Sequence, residues 1–327
     1  MTLLCQILLE KAKEGVFRSG DSVRGTLKYS VDEPTKYETI YIRFVGHGSV
    51  NWTESDRDDR KTYNNREEYA DLTQYCLKPD EDNVLKGCYD HPFEFLIPDD
   101  IPISKKDGVC HIYYKVVAVF VKSEGFFKTE KFDTEIPVYG YVNRCSPEPL
   151  IFGLQKELFS LTTTNKINVK VEIDKTFVTP GENINLKVTV NNNTDIPITI
   201  RTELVKRFTY RADDGHTRVD TVTVIGTAGN SPPMKERSVS NLTCIVPTLP
   251  SLYSIQNSKM VEGAYRVRVT AVVPFPHINE SADVPVVIGE GKDLLGATAK
   301  NVDGKVLCPE TPVDEKNDKD LEGSKVQ

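Results

Sequence analysis

Several things are scarce in this 327-residue chain, and each scarcity closes a class of function. No stretch approaches the ~20 apolar residues needed to span a bilayer. Basic residues are in deficit, 41 Lys and Arg against 48 Asp and Glu, for a net charge of -7. A general nucleic-acid binder normally carries the opposite balance to neutralise phosphates, so nucleic acid is not an expected partner. The seven cysteines (Cys5, Cys76, Cys88, Cys110, Cys145, Cys244, Cys308) are odd in number and lack framework spacing, as expected of reduced thiols. The five histidines are dispersed, and no nucleophile elbow, phosphate loop or metalloprotease helix signature occurs. The expectation is no enzyme and no cofactor. Cys76, Cys88 and His91 lie near one another in sequence, but a structural zinc site needs four ligands with paired short spacings, so no metal is expected either. The apolar start, Leu3 to Leu9, lacks a basic region and a small-residue cleavage site and reads as a strand. On that reading the glycosylation sequons at Asn51, Asn192, Asn241 and Asn279 carry no chemistry.

What is present is β-periodicity almost everywhere. The stretches 39–47, 92–97 and 109–121 are rich in β-branched and aromatic residues and are punctuated by Gly, Pro, Asn and Asp at short intervals, the pattern of a β-sandwich. Between the first two, residues 50–91 are polar. The part Thr53 to Lys61 has no face to bury and reads as a mobile loop, while Glu68 to Leu77 reads as a returning edge strand.

One local signal occurs twice. Phe17-Arg18-Ser19-Gly20-Asp21 runs into an alternating strand, and so does Phe177-Val178-Thr179-Pro180-Gly181-Glu182. Pro180 presets φ and glycine tolerates φ > 0, as a type II turn requires. Each turn precedes a proline-stopped strand (Phe93 to Pro98; Cys244 to Pro247), a long apolar strand (His111 to Phe120; Tyr265 to Val273) and a closing strand with proline (Glu135-Ile136-Pro137; Val284-Pro285). That order implies duplication of a whole domain. The reading is all-β, two tandem immunoglobulin-like antiparallel β-sandwiches: residues 1–142, a linker at 143–153 with Pro147 and Pro149, residues 154–290, and a polar disordered tail at 291–327.

Charge placed on strands is the informative chemical signal. In Ile198 to Arg211, the even residues Ile198, Ile200, Leu204, Phe208 and Tyr210 form one face, so Arg201, Arg207 and Arg211 occupy the other beside Glu203. Arg266 and Arg268 alternate outward against Tyr265, Val267 and Val269 in the same way. Such arginines suit acidic or phosphorylated tails or anionic headgroups, which guanidinium binds bidentately. A solvated face or domain-interface ion pairs would produce the same pattern. Lys11 and Lys13, read as part of the first strand, are further candidates, though Glu10 and Glu14 flank them.

In its ordered motifs the chain resembles the arrestin fold and, within it, the α-arrestin (arrestin domain-containing) family. The carriers are Ser19-Gly20-Asp21, His91-Pro92-Phe93-Glu94-Phe95, Ile101-Pro102-Ile103-Ser104, Thr179-Pro180-Gly181-Glu182 and Val284-Pro285-Val286-Val287-Ile288-Gly289, spread over residues 2 to 290. The resemblance implies a cytoplasmic adaptor that acts at plasma membrane and endosomes. It would bind receptor or transporter tails and recruit a ubiquitin ligase, with peripheral contact to anionic membrane. In visual and β-arrestins, lysines on the first strand sense receptor phosphates, which is the role the resemblance offers Lys11 and Lys13. A stoichiometric coat subunit of retromer type is the alternative, and a redox regulator a third. The chain departs from the family pattern in lacking a Pro-Pro-x-Tyr motif: Pro232-Pro233-Met234-Lys235 has no tyrosine. Ligase recruitment through WW domains by that route is therefore not expected. Ala228 stands where thioredoxin-pairing relatives place cysteine, which disfavours the redox role, and Phe159 to Thr162 lacks the cysteines that acylation there would need.

Overall fold

The computed structural model describes residues 3–12, 15–56, 59–78, 83–123, 129–142, 149–158 and 165–291. Lys13, residues 143–148 of the expected linker, Phe159 to Thr162 and the expected tail beyond residue 291 lie outside them. The first half comprises β1 (Leu3–Leu9), β2 (Phe17–Arg18), β3 (Ser22–Asp56), β4 (Asp59–Leu77), β5 (Asn83–Leu96), β6 (Lys105–Lys106), β7 (Cys110–Lys122), β8 (Thr129–Ile136) and β9 (Val138–Tyr139). The second comprises β10 (Leu150–Leu158), β11 (Asn165–Ile173), β12 (Phe177–Val178), β13 (Asn183–Asn193), β14 (Thr199–Arg211), β15 (Thr217–Thr223), β16 (Gly229–Asn230), β17 (Ser238–Pro247), β18 (Val261–Val272) and β19 (Glu280–Ile288). Among the described residues no helix is long and apolar enough to cross a membrane.

β3 serves both layers of the first sandwich. Residues 22–31 pair antiparallel with β1 and β5, and residues 39–50 pair with β7. The register shifts between Val31 and Thr35 and again between Tyr37 and Thr39, so the strand turns the corner between layers where Pro34 cannot donate a ladder hydrogen bond. Leu27, Ile40, Ile42, Phe44, Tyr114 and Phe120 are fully buried between the layers. The second half is a sandwich of a four-stranded sheet, β10-β11-β13-β17, and a six-stranded sheet, β12-β19-β18-β14-β15 with β16 on β14. Alternation is cleanest in β13, where Ile184, Leu186, Val188 and Val190 are buried and the residues between them exposed. β10 begins at Leu150, inside the stretch read as linker, because its alternation pairs Leu150–Leu158 with β11.

The repeated turn is present twice in matching geometry. Gly20 and Gly181 adopt φ of 80° and 86°. Asp21 N–H donates to Arg18 O and Glu182 N–H to Thr179 O, both at 3.0 Å. In return the Asp21 and Glu182 carboxylates accept from Arg18 N–H and Thr179 N–H at 3.0 and 3.1 Å. Each turn follows a two-residue strand paired in parallel with its closing strand, Phe17 with Val138 and Phe177 with Val287. The duplication read from the motifs is thus also a duplication of hydrogen bonding.

The mobile-loop reading of Thr53 to Lys61 is overturned, while the returning strand read at Glu68 to Leu77 is present within β4. The polar stretch after Val50 is a β-hairpin: β3 and β4 remain in register from Val50 opposite Asn65 out to Asp56 opposite Asp59. Its polarity misleads because few of its side chains face a core. The exceptions, Trp52 and Tyr63, stack 5.5 Å apart and are 4% and 9% exposed.

The core of the first sandwich does not end at its own boundary. Phe208, Tyr210, Ala212, Ile255, Met260 and Val261 of the second half pack into the same cluster as Phe44 and Tyr114. The second sandwich keeps a separate core around Ile167, Val188, Leu204 and Val267.

Candidate functional site

Alternation along β14 places its residues as the periodicity requires, with two refinements, the first being that Glu203 and Val205 on the odd side are themselves buried. The even residues Ile200 and Leu204 enter the second core, whereas Phe208 and Tyr210 enter the seam between the halves. The odd residues Arg201, Arg207 and Arg211 point to the outer face of the six-stranded sheet. There they meet β18, with Glu203 opposite Arg268 and Val205 opposite Arg266.

The five arginines on this face are not equivalent. Arg201 Nη2 donates to Glu203 Oε2 at 2.9 Å, and Glu203 is only 6% exposed. Arg268 grips Asp283 of β19 with Nε and Nη2 at 2.7 and 2.9 Å. That bond, above all, raises the Arg268 pKa, and Glu203 adds to the effect. Arg211 Nη2 reaches Glu262 at 2.7 Å. Arg207 and Arg266 have no ion-pair or hydrogen-bond partner among the described residues. They are diagonal neighbours, since Arg207 stands opposite Ala264 and Arg266 two residues further along β18, a separation long side chains bridge. Five cations against three carboxylates leaves these two unneutralised on an acidic protein.

The lysine candidates fare differently. β1 ends at Leu9, so Lys11 is exposed just beyond the strand and not on it. Glu10 still holds the register through its N–H to Arg24 O at 2.9 Å, after which the chain leaves the sheet. Lys13 lies outside the described residues, and the structure does not bring Lys11 to the arginine face.

Sequence reasoning missed the seam, where the second half closes on the first through the shared apolar cluster and several polar contacts, three groups of which are built as follows. Glu67 of β4 accepts from Ser258 Oγ (2.9 Å), Tyr69 OH (3.0 Å), Lys259 N–H (3.0 Å) and Met260 N–H (3.4 Å). The ring of His216 stacks on Tyr63 at 4.0 Å and Nε2 lies 3.2 Å from both Glu54 carboxylate oxygens. These, with Trp52, hold the long hairpin to the 212–216 turn, and Asp213 N–H donates to Asn64 O at 3.0 Å. At the other end Arg18 Nε donates to Glu290 Oε2 at 2.6 Å, and Val142 N–H to Glu290 O at 3.0 Å. Partners nearly two hundred residues apart leave no local signal. The sequon at Asn192 has a structural explanation: the side chain is 1% exposed and donates to Ile196 O and Lys235 O.

Comparison with known proteins agrees with this architecture. Residues 5–142 match the family model "Arrestin (or S-antigen), N-terminal domain", and residues 163–292 match "Arrestin (or S-antigen), C-terminal domain". The chain is 23% identical over 336 residues to Arrestin domain-containing protein 5 of Bos taurus, covering 95% of this chain and 99% of that one. It is 21% identical over 310 residues to the Homo sapiens protein of the same name, 88% of each chain. Arrestin domain-containing protein 17 of Caenorhabditis elegans is 22% identical over 301 residues, 83% of this chain and 68% of that one.

Proposed function

The chain belongs to the arrestin domain-containing (α-arrestin) family, and from that premise we propose that it is a non-enzymatic adaptor whose outward arginine face receives acidic or phosphorylated cytoplasmic tails of membrane receptors or transporters. The observation that carries the reading is the adjacent pair Arg207 and Arg266, unpaired among the described residues, on a protein of net charge -7. Exposed cations usually cost nothing to leave in water, but two like charges set side by side on one sheet face repel, and an anion between them relieves the repulsion. Arg201, Arg211 and Arg268 already answer to carboxylates of their own sheet and frame the site. In this reading the adaptor works at plasma membrane and endosomes and couples cargo to sorting or ubiquitination. The ligase would be engaged by a route other than a tail Pro-Pro-x-Tyr motif.

The test is binding of synthetic tail peptides, acidic, phosphorylated and scrambled-neutral, followed by fluorescence anisotropy. Arg207→Glu/Arg266→Glu is expected to weaken the acidic and phosphorylated peptides about 30-fold or more, taking ~1 kcal/mol per exposed charge-assisted contact and the added repulsion. Unchanged affinities would remove the face from consideration.

A further inference from the structure

The opposite face of β14 carries a different arrangement. Lys206, Phe208 and Tyr210 turn toward the seam, and with Asp107 and Val109 of the first half and Asp220 of β15 they wall a cleft of about 200 Å³. Both carboxylates in it are already occupied. Asp107 accepts from Lys105 Nζ at 2.7 Å, Cys110 N–H at 2.7 Å, Val109 N–H at 2.9 Å and the Tyr210 hydroxyl at 3.2 Å. Asp220 accepts from Arg218 Nε and Nη2 at 2.9 and 3.2 Å.

The cation is not so provided for. Lys206 Nζ sits 4.2 Å from the centre of the Phe208 ring, and Lys105 Nζ sits 4.4 Å from the centre of the same ring. Among the described residues Lys206 has no carboxylate within 4.0 Å. The side chain is half-buried, and burial first, then the Lys105 ammonium, push its pKa down against the pull of Asp107 and Asp220. Lys105, Lys206 and Arg218 against Asp107 and Asp220 leave one positive charge in a space with room for a small group. Charges withdrawn from water are normally paired, and two ammonium groups sharing one ring face mutual repulsion that the ring quadrupole only partly offsets.

We propose that this cleft is an oxyanion site, which takes one phosphate or carboxylate group against Lys206 and bridges the two sandwiches. Its walls come from both halves, the 107–109 turn from the first and the β14–β15 hairpin from the second, so an occupant contacts both. The site is independent of the arginine face, because period 2 puts Lys206 and Arg207 on opposite sides of one strand.

The test is site-resolved acetylation of the full chain at limiting reagent, read by mass spectrometry, in chloride, inorganic phosphate or acetate at one ionic strength. An anion at ten times its Kd leaves the site free about a tenth of the time, so Lys206 labelling is expected to slow about tenfold relative to exposed Lys170. Protection by phosphate alone identifies a phosphate site, and protection by acetate as well identifies a general oxyanion site. Equal labelling of Lys206 in all three salts overturns the proposal. A second measurement is calorimetric titration with phosphate: Lys206→Met, which keeps the stem over Phe208, is expected to remove the heat of this site, and Lys170→Gln, at an exposed lysine outside both sites, to retain it. Phosphate binding unchanged in Lys206→Met would equally overturn it.

Discussion

Replacing Glu67 by alanine tests whether the two sandwiches are held in register by one carboxylate. Glu67 gathers a hydroxyl and two backbone N–H groups from residues 258–260 and a second hydroxyl from Tyr69. Its strand neighbour Gly48 lies where a Cβ would meet the Met260 side chain and, at 2.6 Å, the Tyr69 hydroxyl. The loop at 258–260 is therefore pressed onto the hairpin and cannot slide to find other partners. A hydrogen bond to a charged group contributes roughly 1.5–3 kcal/mol, and an unpaired buried donor costs roughly 1–3 kcal/mol. Water at the half-buried seam replaces part of this, leaving ~2–4 kcal/mol for the cluster. That is a large share of the roughly 5–15 kcal/mol that keeps a typical protein folded. The effect should be local first, since opening at 258–261 does not require either core to melt. Hydrogen exchange read by mass spectrometry on the full chain is the assay. The amides of Lys259, Met260 and Val261 are expected to exchange at least ~30-fold faster in Glu67→Ala, because 1.36 kcal/mol is a factor of ten. Glu67→Gln, which keeps one acceptor, should fall between that variant and wild type. Exchange at these amides equal to wild type in Glu67→Ala would refute the carboxylate clasp.

Other outcomes follow from named geometry. A Cβ on Gly25 would strike the Leu8 carbonyl, a backbone atom, and approach the Phe93 ring to 2.6 Å, so Gly25→Ala should cost ~1–3 kcal/mol in urea unfolding. Gly181→Ala, at φ 86° in the repeated turn, should cost ~1 kcal/mol, and Gly181→Asn less, measured in the same way. Arg268→Ala strands Asp283 and should lower stability by up to ~1 kcal/mol, whereas Arg207→Ala should stay within ~0.5 kcal/mol of wild type. The Asp107 carboxyl is raised by burial but more than offset by Lys105 and the Cys110 and Val109 amides, so its folded pKa lies below the usual 3.8. Its contribution is therefore present above that value and lost as pH falls through the lower, folded pKa. Asp107→Asn should flatten the loss of stability below about pH 4 in acid unfolding curves.

Much of this protein was determined by sequence alone, because the rules involved are short-ranged. Alternation with period 2 assigns Arg201, Arg207 and Arg211 to one face and Ile200 and Leu204 to the other within a single strand. Gly20 and Gly181 reveal their turns because only glycine takes that φ cheaply. The order of such signals, repeated once, implies two sandwiches. The same rules found the returning strand at Glu68 to Leu77 but failed on Thr53 to Lys61, where a hairpin held by ladder hydrogen bonds and a few packed rings has no need of an apolar face. Only the tertiary structure decided which arginines are unpaired among the described residues. Glu262 and Asp283, which neutralise Arg211 and Arg268, arrive from β18 and β19, and no spacing within β14 foretells their register. It also decided that the even face of β14 divides, Leu204 entering its own core while Lys206, Phe208 and Tyr210 meet the other half of the molecule. Charge pairing and burial depend on what lies across a sheet or a seam, and that is set by chain segments dozens to nearly two hundred residues away.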